Sequence, residues 1–206
     1  MGVLYGCILA IRQVDIKRLI AYSSVSHMGF AIIALFSSSA EGLHSSIYSM
    51  VAHGCIASCL FAMAGIIYDR FHSRTTMYYK GLVVCMPIAA SFFIIAVLGN
   101  VSTPGFLNFL GELLAFLSSL FSKLGYWGTL ILLISIAFGA VYSFNLFNSI
   151  FLGKTSRGLL GIRDLTKREM LGVSVLCSIS ISTGIITHPI SIGLSFSTAR
   201  IISLVS

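Results

Sequence analysis

Five long stretches of this chain carry among them a single Asp, Glu, Lys or Arg, and that limits the fold more than any other feature. They run from Leu19 to Phe36, Ser45 to Tyr68, Gly81 to Ser122, Trp127 to Leu152 and Met170 to Thr187, and the exception is Glu112. A helix of ~20 apolar residues is what crosses the hydrocarbon core of a bilayer. Charged residues make up 9% of the chain, where soluble domains average ~25%, so a solvated globule and a disordered chain are both excluded. Inside lipid every backbone polar group must be paired within the protein, which leaves helices or closed barrels. The stretches show no period-two alternation, so they read as helices, with membrane lipids as a necessary partner.

The net charge of +7 does not point to nucleic acid, because the cations sit in short links between apolar blocks and form no phosphate-binding face. The five cysteines, Cys7, Cys55, Cys59, Cys85 and Cys177, lie inside apolar runs, where they behave as small hydrophobes. Cys55 and Cys59 share a helix face as a metal pair would, but His53 is offset from it and no partner motif follows. No metal ligand set is therefore assigned. Gly2 to Ile11 is an apolar run of half the spanning length, ~15 Å as a helix. It lacks a preceding Lys or Arg and a small-residue cleavage site, so it does not read as a signal peptide.

The block from Gly81 to Ser122 is either two spans with a turn at Pro104-Gly105 or one span broken there. Charge decides between them. With one broken span, Arg12, Lys17, Arg18, Arg70, Arg74, Lys80, Lys154, Arg157, Arg163, Lys167 and Arg168 share one side and only Lys123 and Arg200 the other, a split of 11 to 2. Two spans would leave 8 to 5. Basic residues collect on one side of membrane proteins, so the broken span is preferred. The expected architecture is all-α: one membrane domain over residues 1–206, a polytopic transmembrane helix bundle with one discontinuous helix near Pro104. A partial first helix covers 2–12. Spans follow at about 19–37, 45–68, 82–122 (broken near 100–106), 127–152 and 170–188, the last closed by His188-Pro189.

Three titratable residues fall at mid-depth. His27 lies nine residues past Arg18 and His53 nine past His44, each ~13 Å from its surface, and Glu112 lies ~16 Å from Lys123. In a core ~30 Å thick these positions sit near the midplane. Ionisable groups there are costly and face a bundle interior or a wet path. A single buried histidine is more often a satisfied core residue, but three groups at one depth, one beside a helix break, point to a proton or ion path. Histidine suits such a path because its ordinary pKa is ~6.5. No Gly-rich phosphate loop, CxxC, Ser/His/Asp arrangement or haem attachment motif accompanies them.

The same residues carry a family resemblance. QVDIKRLIAYSSVSHMGF (Gln13 to Phe30) resembles the signature of the antiporter-like membrane subunits of respiratory complex I. MVAHG (Met50 to Gly54), YDRFHSR (Tyr68 to Arg74) and TPGFLNFLGE (Thr103 to Glu112) are similar to successive segments of that family, over residues 2 to 190. The resemblance implies proton translocation along a buried midplane axis in which His27, His53 and Glu112 form the relay, with Glu112 nearest the exit; related subunits would have lysine there. It implies no cofactor in this chain, with NADH, flavin, iron–sulfur clusters and ubiquinone elsewhere in the complex. The implied partners are other complex I membrane-arm subunits, and the implied location is the mitochondrial inner membrane. The upstream half of the family pattern, with its buried lysines, is absent from this sequence. The chain begins with methionine, so the expectation is a split subunit whose N-terminal half is a separate chain packed against residues 2–13. The alternatives are a subunit of a multi-subunit cation/proton antiporter, which shares these motifs, and a structural scaffold with an inactive channel.

Overall fold

The computed structural model describes residues 2–37, 39–122, 125–154 and 162–187. Lys123, Arg157, His188, Pro189 and Arg200, which entered the charge split or the end of the last span, lie outside the described residues. Helices follow the apolar stretches: α1 (Gly2–Arg12), α2 (Ile16–Leu35), α3 (Ala40–Phe71), α4 (Leu82–Cys85), α5 (Pro87–Asn100), α6 (Leu107–Leu120), α7 (Gly125–Phe151) and α8 (Lys167–Ile185). Helices α2, α3 and α7 are each long and apolar enough to cross a membrane alone. Among the described residues the only strand-like pairing is an isolated bridge between Asp15 and Thr75.

The helices overrun the apolar blocks because their caps lie in polar sequence. The Ser39 hydroxyl accepts from Gly42 N at 3.0 Å and starts α3 five residues before the expected 45. Helix α3 ends at His72, in the left-handed region at φ 52°, whose N–H returns to Tyr68 O. Thr166 and Glu169 cap α8 reciprocally: Thr166 N donates to Glu169 Oε2 at 2.8 Å and Glu169 N to Thr166 Oγ1 at 3.4 Å. The third block differs from the expected single break. Pro87 disfavours helical backbone in the residue before it, and Met86 (φ −132°, ψ 66°) separates the short α4 from α5.

Helices α5 and α6 form one broken span. Along α3 the chain passes Ile56 at Gly99 and then Ser49 at Gly111, and Ser45 Oγ donates to Gly111 O at 2.6 Å. Sequence position on α3 falls as it rises on α5 and α6, so both run antiparallel to α3 without reversing. The break is stitched internally. Gly99 O accepts from Asn108 Nδ2 at 3.0 Å and Ser102 N at 3.2 Å, and Leu98 O from Thr103 Oγ1 at 3.1 Å. Ser102 (φ 59°) and Gly105 (φ 105°) turn the chain through left-handed conformations. Gly184 of α8 lies against Gly105 O and Phe106 with no room for a Cβ.

Three polar links meet at one end of the bundle. Ile16 N donates to Arg74 O at 3.0 Å and Thr76 N to Val14 O at 2.9 Å. Arg70 Nη2 donates to Glu169 Oε2 at 2.7 Å and to Asp164 O at 3.1 Å, and its Nε to Arg163 O at 3.0 Å. The Asp164 carboxylate accepts from Ile88 N (2.8 Å) and Ala89 N (3.2 Å) in the first turn of α5. The ends of α3, α5 and α8 are therefore tied to one loop. Single cysteines replacing Arg74 and Arg163 will react with an impermeant thiol reagent from the same side of sealed vesicles; labelling from opposite sides would refute this arrangement.

The Arg70 guanidinium holds the Glu169 carboxyl at about 2, well below its ordinary 4.5. A carboxylate with a depressed folded pKa contributes stability that is present above its unfolded value and lost as pH falls through the folded one. Protection of residues 162–169 against hydrogen exchange should therefore weaken between pH 4.5 and about 2. Glu169→Gln should show weaker protection at neutral pH and little further change over that window.

Candidate functional site

His27 is buried on α2 at 8% exposure, on the face that meets α3, α6 and α7. Small buried residues flank it on α2, Ser23 and Ser26 among them, and such residues let neighbouring helices approach closely. Glu112 projects toward it from the second turn of α6, and His27 Nδ1 lies 3.2 Å from Glu112 Oε1, with both side chains about 10% exposed. Gly111 sets this approach, since a Cβ there would stand 2.6 Å from Ser49 Oγ and 3.0 Å from Ser49 N. His53 comes from α3, its ring centroid 5.3 Å from that of His27 and tilted by 31°. The three residues singled out in the sequence thus form one cluster beside the helix break.

The structure adds members that the sequence reading passed over. The Tyr142 hydroxyl of α7 lies 3.3 Å from His27 Nε2, so both ring nitrogens of His27 are engaged. Asn100, the last residue of α5, donates through Nδ2 to Ser143 Oγ at 2.9 Å. From α1, Cys7 lies 3.0 Å from Ser26 Oγ and donates to Ser135 O at 3.6 Å. A signal for Tyr142 and Asn100 existed, since each is a hydrogen-bonding residue deep within an apolar block. Uncharged groups are common there, however, and only the depth of the charges had been counted.

Four buried side-chain atoms have no partner among the described residues: His53 Nδ1, Ser49 Oγ, Asn100 Oδ1 and Ser102 Oγ. Native proteins leave few such atoms unpaired, and all four belong to the cluster or the break beside it. A small cavity reaches His27, Asn100, Glu112 and Tyr142, with about 10 Å³ open to the centre of a water molecule, room for about one water. On the far side of Glu112 a cleft of about 320 Å³ runs between α6 and α7, past Ser102, Phe109, Leu113 and Leu133. Glu112 lines both spaces. The arrangement can pass a proton, because Glu112, His27 and Tyr142 make a continuous hydrogen-bonded row of exchangeable groups.

The remaining sulfur and histidine positions lie elsewhere. Cys59 faces Cys177 of α8 at 3.4 Å between sulfurs, not His53. No group of three His, Cys, Asp or Glu residues that could hold a metal occurs among the described residues. His72 packs edge-on to Tyr68 in the polar link, and Lys17 Nζ lies 5.3 Å from the same ring, which keeps that cation at the bundle end. Ala in place of Gly111 should push α6 away from α3, costing about 1–3 kcal/mol. A lower unfolding temperature would register this, and an unchanged one would show that the close approach is not needed.

Comparison with known proteins converges on one group. The family model described as NADH:quinone oxidoreductase/Mrp antiporter, TM, matches residues 1–167. NADH-quinone oxidoreductase subunit M of Rickettsia conorii is 37% identical over 191 residues, covering 92% of this chain and 38% of that protein. NADH-ubiquinone oxidoreductase chain 4 of Acanthamoeba castellanii is 40% identical over 186 residues, covering 90% and 37%. In Chondrus crispus chain 4 the identity is 36%, over 100% of this chain and 42% of the relative. A chain in the structure of respiratory complex I from Thermus thermophilus with bound NADH superposes with a TM-score of 0.90 at 28% identity, covering 100% of this chain and 43% of that one. The Mrp complex from Dietzia shares the fold, with a TM-score of 0.85 at 17% identity and coverage of 96% and 45%. The chain spans about two fifths of the length of these relatives.

Proposed function

The chain belongs to the membrane-spanning family of NADH:quinone oxidoreductase and Mrp antiporter subunits, and we propose that it moves protons across a membrane as part of a chain 4-type subunit of complex I. In this reading residues 1–206 are one membrane domain, equivalent to the C-terminal part of such a subunit. The observation that carries it is the buried contact of 3.2 Å between His27 and Glu112 beside the break. A carboxyl and an imidazole enclosed in a membrane protein are costly unless they act, and each is a group that can bind and release a proton.

The relay consists of Glu112, His27 and His53. Glu112 touches the cleft between α6 and α7 and, on its other side, His27. A proton taken by the His27–Glu112 pair can leave toward that cleft or pass toward His53, whose Nδ1 has no partner among the described residues. Electron transfer takes place in other subunits, which hold the flavin, iron–sulfur clusters, NADH and ubiquinone. This chain supplies the response of a buried acid–base pair to neighbouring charge. Its partners are the other membrane-arm subunits and lipid, and its home is the mitochondrial inner membrane. Tyr5 and Ile8 on α1 are 64% and 50% exposed. Their apolar face fits the rest of the family fold, in the same polypeptide or in a separate chain.

A second reading, a cation/proton antiporter subunit, is favoured by the fold shared with the Mrp complex. Co-purification with iron–sulfur and flavin proteins supports the first reading, and sodium-dependent transport without them supports the second. Glu112→Gln keeps the shape and removes the exchangeable proton. Proton pumping by the purified complex in liposomes should fall by about tenfold or more while the complex still assembles. Undiminished pumping would refute the relay.

A further inference from the structure

The hydrogen bonds around His27 form a closed donor and acceptor count that reaches beyond the relay itself. With Glu112 as carboxylate and His27 neutral, Nδ1–H donates to Glu112 Oε1 (3.2 Å) and Nε2 accepts from the Tyr142 hydroxyl (3.3 Å). A proton added to the ring changes this. Whether the shared proton then sits on Nδ1 or on Oε1, Nε2 carries a hydrogen and becomes a donor. The Tyr142 oxygen must accept from it, and the Tyr142 proton must turn to another acceptor.

One acceptor stands ready. Tyr142 is 1% exposed, so its hydroxyl cannot turn to bulk water. Asn100 lines the same small cavity beside His27 as that hydroxyl. Asn100 Oδ1 is a buried acceptor without a partner among the described residues, and its amide can turn because Ser143 Oγ, now accepting from Nδ2 at 2.9 Å, can equally donate. Glu112 from α6, His53 from α3, Tyr142 from α7 and Cys7 from α1 are the titratable groups around His27; among the described residues α5 brings only the neutral Asn100 to the cluster, and α2 and α8 bring no further charge.

We propose that Tyr142 is a positioning residue whose hydroxyl proton switches from His27 Nε2 to Asn100 Oδ1 when His27 takes up a proton. The exchange is balanced: one proton enters at the ring, the Nε2 hydrogen bond reverses direction, and the Tyr142 proton rotates without leaving its oxygen. Asn100 is the residue at which α5 ends, so loading of the relay is registered at the edge of the helix break. The proposal rests on the proton-transfer reading of His27 and Glu112.

The loaded state holds one hydrogen bond more through Tyr142 than the unloaded state, and one of its bonds is to a charged or strongly polarised ring. Removing the hydroxyl therefore disfavours loading. In the purified complex reconstituted in liposomes, Tyr142→Phe should move the alkaline limb of the pumping–pH profile toward acid by about one unit. Asn100→Leu should move it the same way, and the double variant should move it no further than the larger single shift. An unchanged profile in Tyr142→Phe, with pumping still lost in Glu112→Gln, overturns the switch and leaves the relay standing. Full pumping by Glu112→Gln overturns the relay and the switch with it. If Tyr142→Phe does not assemble, Asn100→Leu decides alone, and an unchanged profile there refutes the proposal.

Discussion

A bilayer interior offers no water to an unpaired backbone group, and each such group costs several kcal/mol there. The carbonyls freed by the interruption between Asn100 and Leu107 therefore need partners within the protein, and much of the bundle follows from supplying them. Thr103, Asn108 and Ser102 return hydrogen bonds to the carbonyls at the end of α5. Gly184 brings α8 onto the turn, and Gly111 brings the start of α6 onto α3. Once these contacts exist, the side chains nearest the break are held among four helices. Glu112, one turn into α6, is placed against His27 by the same packing that covers the break.

Most of this architecture was legible in the chain because the bilayer is a simple solvent. Length, hydropathy and the placement of basic residues were enough to expect α2, α3, α7, α8 and a broken span between them. The 11-to-2 charge split favoured one broken helix, and the contacts of Gly99 and Gly111 along α3 are those of such a helix. Less visible was whatever depends on a single backbone torsion or on side chains from distant helices. The interruption at Met86 reflects Pro87, whose missing N–H is harmless at a first helical turn and so left no disturbance in the apolar pattern. The helix ends at Ser39 and Thr166 sit in polar links, outside the blocks by which spans were recognised. Tyr142 is 115 positions from its partner His27, and no periodicity along the chain connects them.

Family membership adds what a single structure lacks and leaves a definite remainder. The match over residues 1–167 puts the chain in the family shared by NADH:quinone oxidoreductase and Mrp antiporters, and a chain of respiratory complex I superposes at a TM-score of 0.90. The Mrp complex has the same fold at a TM-score of 0.85 and 17% identity, so the fold by itself does not separate a subunit driven by electron transfer from one that exchanges ions. Between these readings the cluster around His27 is neutral, since a buried acid–base pair beside a break serves either. What distinguishes them lies in the proteins that surround the chain, which is why assembly, and not the chemistry of the site, separates them.

Two acid–base pairs of this chain sit in different solvents, and their chemistry differs accordingly. At the polar end of the bundle Arg70 binds Glu169 with two nitrogens, at 3.2 Å and 2.7 Å. Arginine keeps its charge at any ordinary pH, and beside it the Glu169 carboxyl is held well below its ordinary value, so that pair ties α3 to α8 at neutral pH. In the interior the corresponding roles fall to His27 and Glu112, and neither group is bound to remain charged. An arginine at position 27 would pair more firmly and could not give up a proton. A lysine at position 112 would set a cation against the imidazole and oppose its protonation. Histidine facing glutamate leaves the net charge of the pair free to change by one with each proton gained or lost. In a low-dielectric site such a change is felt strongly by neighbouring groups, and this is the physical basis of the relay proposed for the pair.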